Sequence, residues 1–302
     1  TNGNNLGLSG VISGASDVNK NGAGALTLSG INTYSGNTNI NAGSVILTGS
    51  ITSDTNIAAG GTLQGNGVVN GNINNAGSII PSFTGNQTNL TVNGNYVGAG
   101  GNFVSNVYAP VTNPVADKLV VSGTASGATG VTIIDRGGLG NRTSGAGIEV
   151  VSVGGTSTAT AFALNQRVAS GAFEYKLVKG DASGAGNSWY LRTDNPQVPA
   201  TPNEPPAALA TPAVGERIEV SVYPALPSLV QLYAQTAVDT LDQRRGDLNL
   251  VDPQGSTKKA ADGWARIIGK TGAATPSNVN DGPKLNFNTY ALQFGADLYK
   301  DE

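Results

Sequence analysis

Short β-type runs recur through the first eighty positions, punctuated every few residues by Gly and Asn: Ala25-Leu26-Thr27-Leu28, Ser44-Val45-Ile46-Leu47, Val68-Val69 and Ser78-Ile79-Ile80. They sit in an internal repeat. Asn39-Ile40-Asn41-Ala42-Gly43-Ser44-Val45 returns as Asn56-Ile57-Ala58-Ala59-Gly60 followed by Thr62-Leu63. It returns again as Asn72-Ile73-Asn74-Asn75-Ala76-Gly77-Ser78-Ile79. The isoleucines Ile40, Ile57 and Ile73 are spaced by 17 and then 16 residues. A short strand, a Gly turn and a second strand at this period predict rungs of a parallel β-solenoid, with Ile stacked on Ile and Val on Leu. Asn suits the corners because it tolerates left-handed backbone angles and bonds to nearby backbone. The period favours this architecture over a Gly/Asn-rich β-sandwich.

From about 80 to 195 the runs lengthen and gain aromatic residues, as in Ile148-Glu149-Val150-Val151, Phe173-Glu174-Tyr175-Lys176-Leu177 and Ser188-Trp189-Tyr190-Leu191. Such strands predict the terminal cap that shields the last rung from edge pairing. A Pro-rich stretch over 196–222 reads as an extended linker. Leu226, Leu229, Val230, Tyr233, Ala234, Ala237, Val238 and Leu241 then follow helical spacing, with Arg244, Arg245 and Gly246 as stop signals, so one helix is predicted over 223–246. In the last stretch, Tyr290, Leu292, Phe294, Ala296 and Leu298 alternate with Ala291, Gln293, Gly295 and Asp297. Apolar-out with small-or-polar-in suits a membrane β-strand, and Trp264-Ala265-Arg266-Ile267-Ile268-Gly269-Lys270 is an earlier candidate. Both would equally suit an amphipathic hairpin in a soluble domain.

Charge sharpens this division. Residues 1–100 carry only Asp17, Lys20 and Asp54, whereas 101–200 carry 13 charges and 201–302 carry 21. The 302 residues include no Cys, Met or His, which excludes disulfides, zinc–thiolate sites, imidazole bases and His ligands. A net charge of -3 with 17 Lys and Arg predicts no nucleic-acid partner. With no Met in the sequence, Thr1 is read as following processing or truncation, and without a basic n-region and apolar h-region no signal peptide is expected in this stretch. No catalytic, cofactor-binding or metal-binding residue is assigned, and no cofactor is expected. Asp117-Lys118 and Asp135-Arg136 are expected on solvated turns or strand ends. Tyr34 and Tyr96 are expected to pack rather than to form ligand platforms. Gly65-Asn66-Gly67 and Gly184-Ala185-Gly186 precede no helical pattern and so form no phosphate loop.

In order, these parts resemble a type Va autotransporter of Gram-negative bacteria. Gly24-Ala25-Leu26-Thr27-Leu28-Ser29-Gly30, Asn32-Thr33-Tyr34-Ser35-Gly36 and Asn41-Ala42-Gly43 are similar to the family's passenger-associated repeat. Val92-Asn93-Gly94-Asn95-Tyr96-Val97, Asp117-Lys118-Leu119-Val120-Val121-Ser122-Gly123 and Trp189-Tyr190-Leu191 resemble its autochaperone, or pertactin-like, region. Residues 223–246 resemble the helix inside the translocator pore. Gly263-Trp264-Ala265-Arg266 and Gln293-Phe294-Gly295-Ala296-Asp297 resemble the first translocator strands.

The resemblance implies an all-β fold: a right-handed parallel β-helix with a C-terminal cap, then a Pro-rich linker, one α-helix and an incomplete β-barrel start. It implies solenoid rungs over 1–80, an autochaperone-like region over 81–195, linker 196–222, pore-type helix 223–246 and barrel strands over 247–302. It further implies a non-enzymatic surface stalk that assists its own secretion through the outer membrane and displays an adhesin or virulence-type passenger. The implied partners are the outer membrane through a complete barrel, the barrel assembly machinery, and host-surface or cell-cell contacts. Two departures stand out. Two strands before Glu302 are too few to close a barrel, and 223–246 holds no Asn-Asn pair, so autocleavage there is not expected. A β-solenoid glycan-degrading enzyme and a soluble binding module are the alternative readings.

Overall fold

The computed structural model describes residues 3–81, 87–109, 114–193, 230–231, 263–274 and 285–296. Among these residues only Val230 and Gln231 are helical; the rest of the regular structure is strand. The first part contains β1 (Leu6–Leu8), β2 (Val18–Lys20), β3 (Ala25–Leu28), β4 (Thr38–Leu47), β5 (Ser50–Ile51), β6 (Thr55–Gln64) and β7 (Val68–Val69). It continues with β8 (Ile73–Asn75), β9 (Ser78–Ile80), β10 (Asn89–Val92), β11 (Tyr96–Tyr108), β12 (Val115–Ala116), β13 (Lys118–Val121) and β14 (Ala125–Asp135). β15 (Ile148–Val153), β16 (Phe162–Leu164), β17 (Val168–Ser170), β18 (Phe173–Lys179) and β19 (Trp189–Arg192) complete it. A hairpin of β20 (Gly263–Ala274) and β21 (Leu285–Ala296) belongs to a second unit of the chain.

Strands of successive repeats pair in parallel, as the repeat predicts. One sheet runs β1-β3-β4-β6-β8-β11-β14-β16, and the other runs β17-β18-β19-β15-β13-β10-β7-β5. The alternation of the strands points every second side chain inward. Stacking then builds apolar columns. Leu26, Val45, Leu63, Ile79, Phe103 and Val131 are consecutive partners in the first sheet. Ile51, Val69, Val92, Val121 and Val153 form the matching column in the second. All eleven are buried. No single coil could bury its own column, so the core exists only in the stack.

The corners explain the Asn and Gly content. Along one corner side-chain oxygens accept from the backbone of the following coil: Asn72 N bonds Asp54 Oδ1 (2.8 Å), Asn95 N bonds Asn72 Oδ1 (2.9 Å) and Thr124 N bonds Asn95 Oδ1 (2.9 Å). Asn37 N bonds Asp17 Oδ1 (2.7 Å) in the same manner. Beside this ladder Gly123 N donates to Gly94 O (3.0 Å), and a Cβ on Gly123 would lie 2.6 Å from that oxygen. On the outer surface Asn39 and Asn56 extend a second ladder from Asn19, with amide bonds of 2.9 and 3.0 Å.

Two features differ from the sequence reading. Ile40 does stack on Ile57 and Val45 on Leu63, but Ile73 pairs with Thr55, and Asn75 stands opposite Ile57. The register recovers at Leu63 and Ile79 because the corner is two residues shorter, four steps from Asn75 to Ile79 against six from Ile57 to Leu63. Finally, Asp117 is not on a solvated turn but fully buried. Its Oδ1 accepts from Thr88 N (2.6 Å) and its Oδ2 from Asn106, so backbone and amide donors replace the lost water. Its neighbour Lys118 is partly exposed and pairs with Glu149 at 2.8 Å, while Asp135 and Arg136 are exposed at the end of β14.

The β20–β21 hairpin is antiparallel over its whole length, from Gly263 opposite Ala296 to Ala274 opposite Leu285. It contains both strands that the alternation pattern singled out. The linker over 196–222 lies outside the described residues, as does the helix over 223–246 apart from Val230 and Gln231.

Candidate functional site

The C-terminal end of the stack is built differently from the coils before it. β19 lies antiparallel between β15 and β18, with Leu191 opposite both Ile148 and Leu177. β17 pairs antiparallel with β18. This switch from parallel to antiparallel ends the column of repeats, because the next coil position is already occupied.

Three aromatic rings run through this end. Tyr96 stacks on Phe162 with centroids 5.5 Å apart and planes at 15°, and Phe162 meets Trp189 edge-on at 5.6 Å and 70°. All three are buried. The Trp189 indole Nε1 donates to Ser157 Oγ (2.9 Å). Tyr96 Oη accepts from Asn75 Nδ2 (3.0 Å) and shares a 2.8 Å bond with Thr129 Oγ1. Burial pushes the Tyr96 hydroxyl above the usual tyrosine range, partly offset by the bonds from Thr129 and Asn75. Tyr34 is also buried, with its hydroxyl on Thr38 Oγ1. Both tyrosines that were weighed as ligand platforms are therefore packing residues.

Two buried polar side chains tie the cap to the loop between β14 and β15. Tyr175 Oη accepts from Gly140 N (2.8 Å) and Asn141 N (3.1 Å) and donates to Asn141 O (2.6 Å). Arg192 Nε donates to Ala146 O (2.7 Å) and Nη2 to Gly180 O (2.6 Å). The guanidinium also lies 5.5 Å from the Tyr190 ring centroid, and its Nη1 is buried without a partner. Sequence reasoning assigned no role to Arg192, to buried Lys20 or to buried Asp117. Lys20 occupies an inward position, facing Ile40 in register, and donates to Gly22 O (2.6 Å) and Ala42 O (2.8 Å). Alternation could have found it: in Val18-Asn19-Lys20 it falls where the next coil has Ile40.

Among the described residues no three His, Cys, Asp or Glu side chains converge. Among the described side chains of the hairpin, Tyr290, Leu292 and Phe294 form an exposed apolar line, and Ile267 opposite Leu292 is also exposed.

Comparison with known proteins places these parts. Residues 67–177 match the family described as Autochaperone Domain Type 1, and residues 18–47 match the Passenger-associated-transport-repeat. Adhesin BmaC autotransporter of Brucella suis is 33% identical over 98% of this chain, and Autotransporter adhesin AIDA-I of Escherichia coli is 30% identical over 70% of it. The chain carries a type V autotransporter passenger region. The repeat match within the passenger region runs from the start of β2 to the end of β4. The autochaperone match contains Tyr96, Phe162 and Tyr175, whereas Trp189 and Arg192 lie just beyond it. An uncharacterized protein of Escherichia coli, YuaQ, is 33% identical over 95% of this chain. The chain spans 21% of YuaQ, 9% of BmaC and 15% of AIDA-I, so it matches a limited part of each. These relatives are named as adhesins or as uncharacterized proteins, and none of the three is named as an enzyme.

Proposed function

We propose that this chain is the structural and self-export segment of an autotransporter. Residues 1–80 serve as right-handed stalk rungs, 81–195 as the autochaperone-like end, 196–222 as linker, 223–246 as the helix of the translocator pore and 247–302 as its first barrel strands. The observation that carries the reading is the autochaperone match over coils that end in the aromatic, antiparallel cap. A right-handed wind is supported by the preference of parallel crossovers within one sheet, such as β4 to β6 through β5. The exposed Tyr290, Leu292 and Phe294 line supports a lipid-facing strand, since lipid accepts only apolar outward positions. In this reading the stalk stands outside the outer membrane and holds an adhesin-type passenger toward a host surface or another cell. The barrel assembly machinery inserts the translocator, and the stalk itself performs no catalysis.

The test removes 81–193 from a complete chain carrying its translocator. Surface-exposed passenger should still reach the outside but lose its resistance to added protease. Unchanged resistance of residues 25–80 would overturn the reading, as would turnover of any member of a polysaccharide panel by residues 1–195.

A further inference from the structure

The loop over 136–147 joins β14 to β15 and is rich in glycine. Gly137, Gly138, Gly140, Gly145 and Gly147 all have positive φ, between 57° and 120°. Such a segment loses much conformational freedom when it is ordered. Few bonds inside the loop offset that loss: Asn141 Nδ2 to Gly138 O (3.2 Å) and Gly147 N to Ser144 O (3.1 Å). Its first residues follow β11, through Arg136 N to Val107 O (2.8 Å) and Ala109 N to Gly137 O (3.0 Å). From Leu139 onward the bonds to other elements come from residues much later in the chain. Ser170 Oγ donates to Leu139 O (3.0 Å), Tyr175 holds Gly140 and Asn141, and Arg192 holds Ala146. Thr143 N donates to Thr193 Oγ1 (3.2 Å), and Thr193 N returns a bond to Thr143 Oγ1 (3.1 Å).

We infer that Tyr175 and Arg192 form a two-point latch, which orders the loop over 139–147 only after β18 and β19 have docked. The latch closes next to the pairing of Ile148 with Leu191, so it fixes the last coil at the moment the last strand arrives. The Arg192 guanidinium is fully buried with one orphaned nitrogen, a costly arrangement if stability alone were served. Its geometry serves connection instead: Nε reaches Ala146 in the loop, and Nη2 reaches Gly180 at the end of β18. The latch stands on these bonds, while its meaning for export rests on the function proposed above. There, β18 and β19 would stand outside first, and the loop would close on them as it followed.

The exposed Arg142 in this loop is a built-in reporter, because trypsin can cut after it only when the loop opens. The experiment refolds the full chain with Trp264→Phe, so that Trp189 alone reports cap docking, and pulses with trypsin to score the cut after Arg142. Protection of Arg142 should arrive with or after the Trp189 signal. Tyr175→Phe and Arg192→Met should each speed that cut by about tenfold or more, since several bonds are lost at an opening loop. The Trp189 signal, and resistance of 25–80 to a non-specific protease, should stay unchanged. Loop protection that precedes Trp189 burial would overturn the latch, as would a cut within about twofold of the parent in both variants. If Arg192→Met loses the Trp189 signal and the resistance of 25–80 together, Arg192 is a general support of the fold and that arm of the latch is rejected; Tyr175→Phe, which keeps the ring, then decides the other arm. These outcomes do not depend on secretion, so failure of the latch and failure of the export reading are separable.

Discussion

Tyr96 connects coil to cap: its ring stacks on Phe162 while its hydroxyl takes bonds from Asn75 and Thr129. Because burial raises its pKa, the folded chain keeps this proton where the unfolded chain releases it, above about pH 10. The folded state then binds more protons, so its stability is fully present below that pH and falls as pH rises through the alkaline range. Tyr96→Phe should therefore cost stability at neutral pH, by about 1–3 kcal/mol through the unmet bonds of Asn75 and Thr129, yet show a flatter alkaline loss. Urea midpoints at neutral and alkaline pH would check both signs. Gly123 is a contrasting single-residue constraint. The Cβ of Gly123→Ala would press on Gly94 O, and only a shift of one coil against the next could relieve it. A lowered melting temperature with unchanged strand content is expected from circular dichroism.

At the scale of elements, the repeat was legible because its inward positions are apolar and its corners are Gly and Asn. Val45 on Leu63 and Ile40 on Ile57 follow directly from that pattern. The offset at Ile73 was not legible, since alternation turns both Ile73 and Asn75 inward and does not say which of them stands on Ile57. Asn75 enters because Tyr96 Oη and Asn102 O receive its amide, and those partners come from a later coil. Asp117 and Arg192 were hidden for the same reason: a charged residue reads as exposed until distant backbone groups are seen to solvate it. The cap was readable as aromatic strands but not as antiparallel, because alternation has no direction. In the hairpin, Leu292 lies on the exposed line, and Leu292→Lys should disfavour insertion of the completed barrel by about 2–4 kcal/mol if that position meets the bilayer midplane. Heat-modifiable gel mobility of the complete translocator in lipid would measure it. A folded fraction equal to the parent's would contradict a lipid-facing Leu292.

On the scale of the whole molecule, the described stack runs from the parallel β1–β3 pair to an end that closes on Trp189 and the antiparallel strands. In a stack where each coil contacts only its neighbours, the strongest coils template the weaker ones. Trp189→Ala removes a buried ring worth about 3–5 kcal/mol and should leave 25–80 sensitive to a non-specific protease. Ile40→Ala deletes a buried side chain of its own coil and should fray only the adjacent coils. Resistance of 25–80 in the Trp189 variant would show that the rungs hold themselves. The corner ladder adds a consequence for length. Each of its oxygens meets a backbone N–H without regard to whether Asp or Asn supplies it, so the joint is a standard coupling. Excision of 38–54 would set Asn37 where Asp54 now stands, and Asn72 N would still find an Oδ1 to bond. Reach above a surface then becomes a discrete quantity, shortened or extended in steps of one coil, about 4.8 Å each, with every joint left intact.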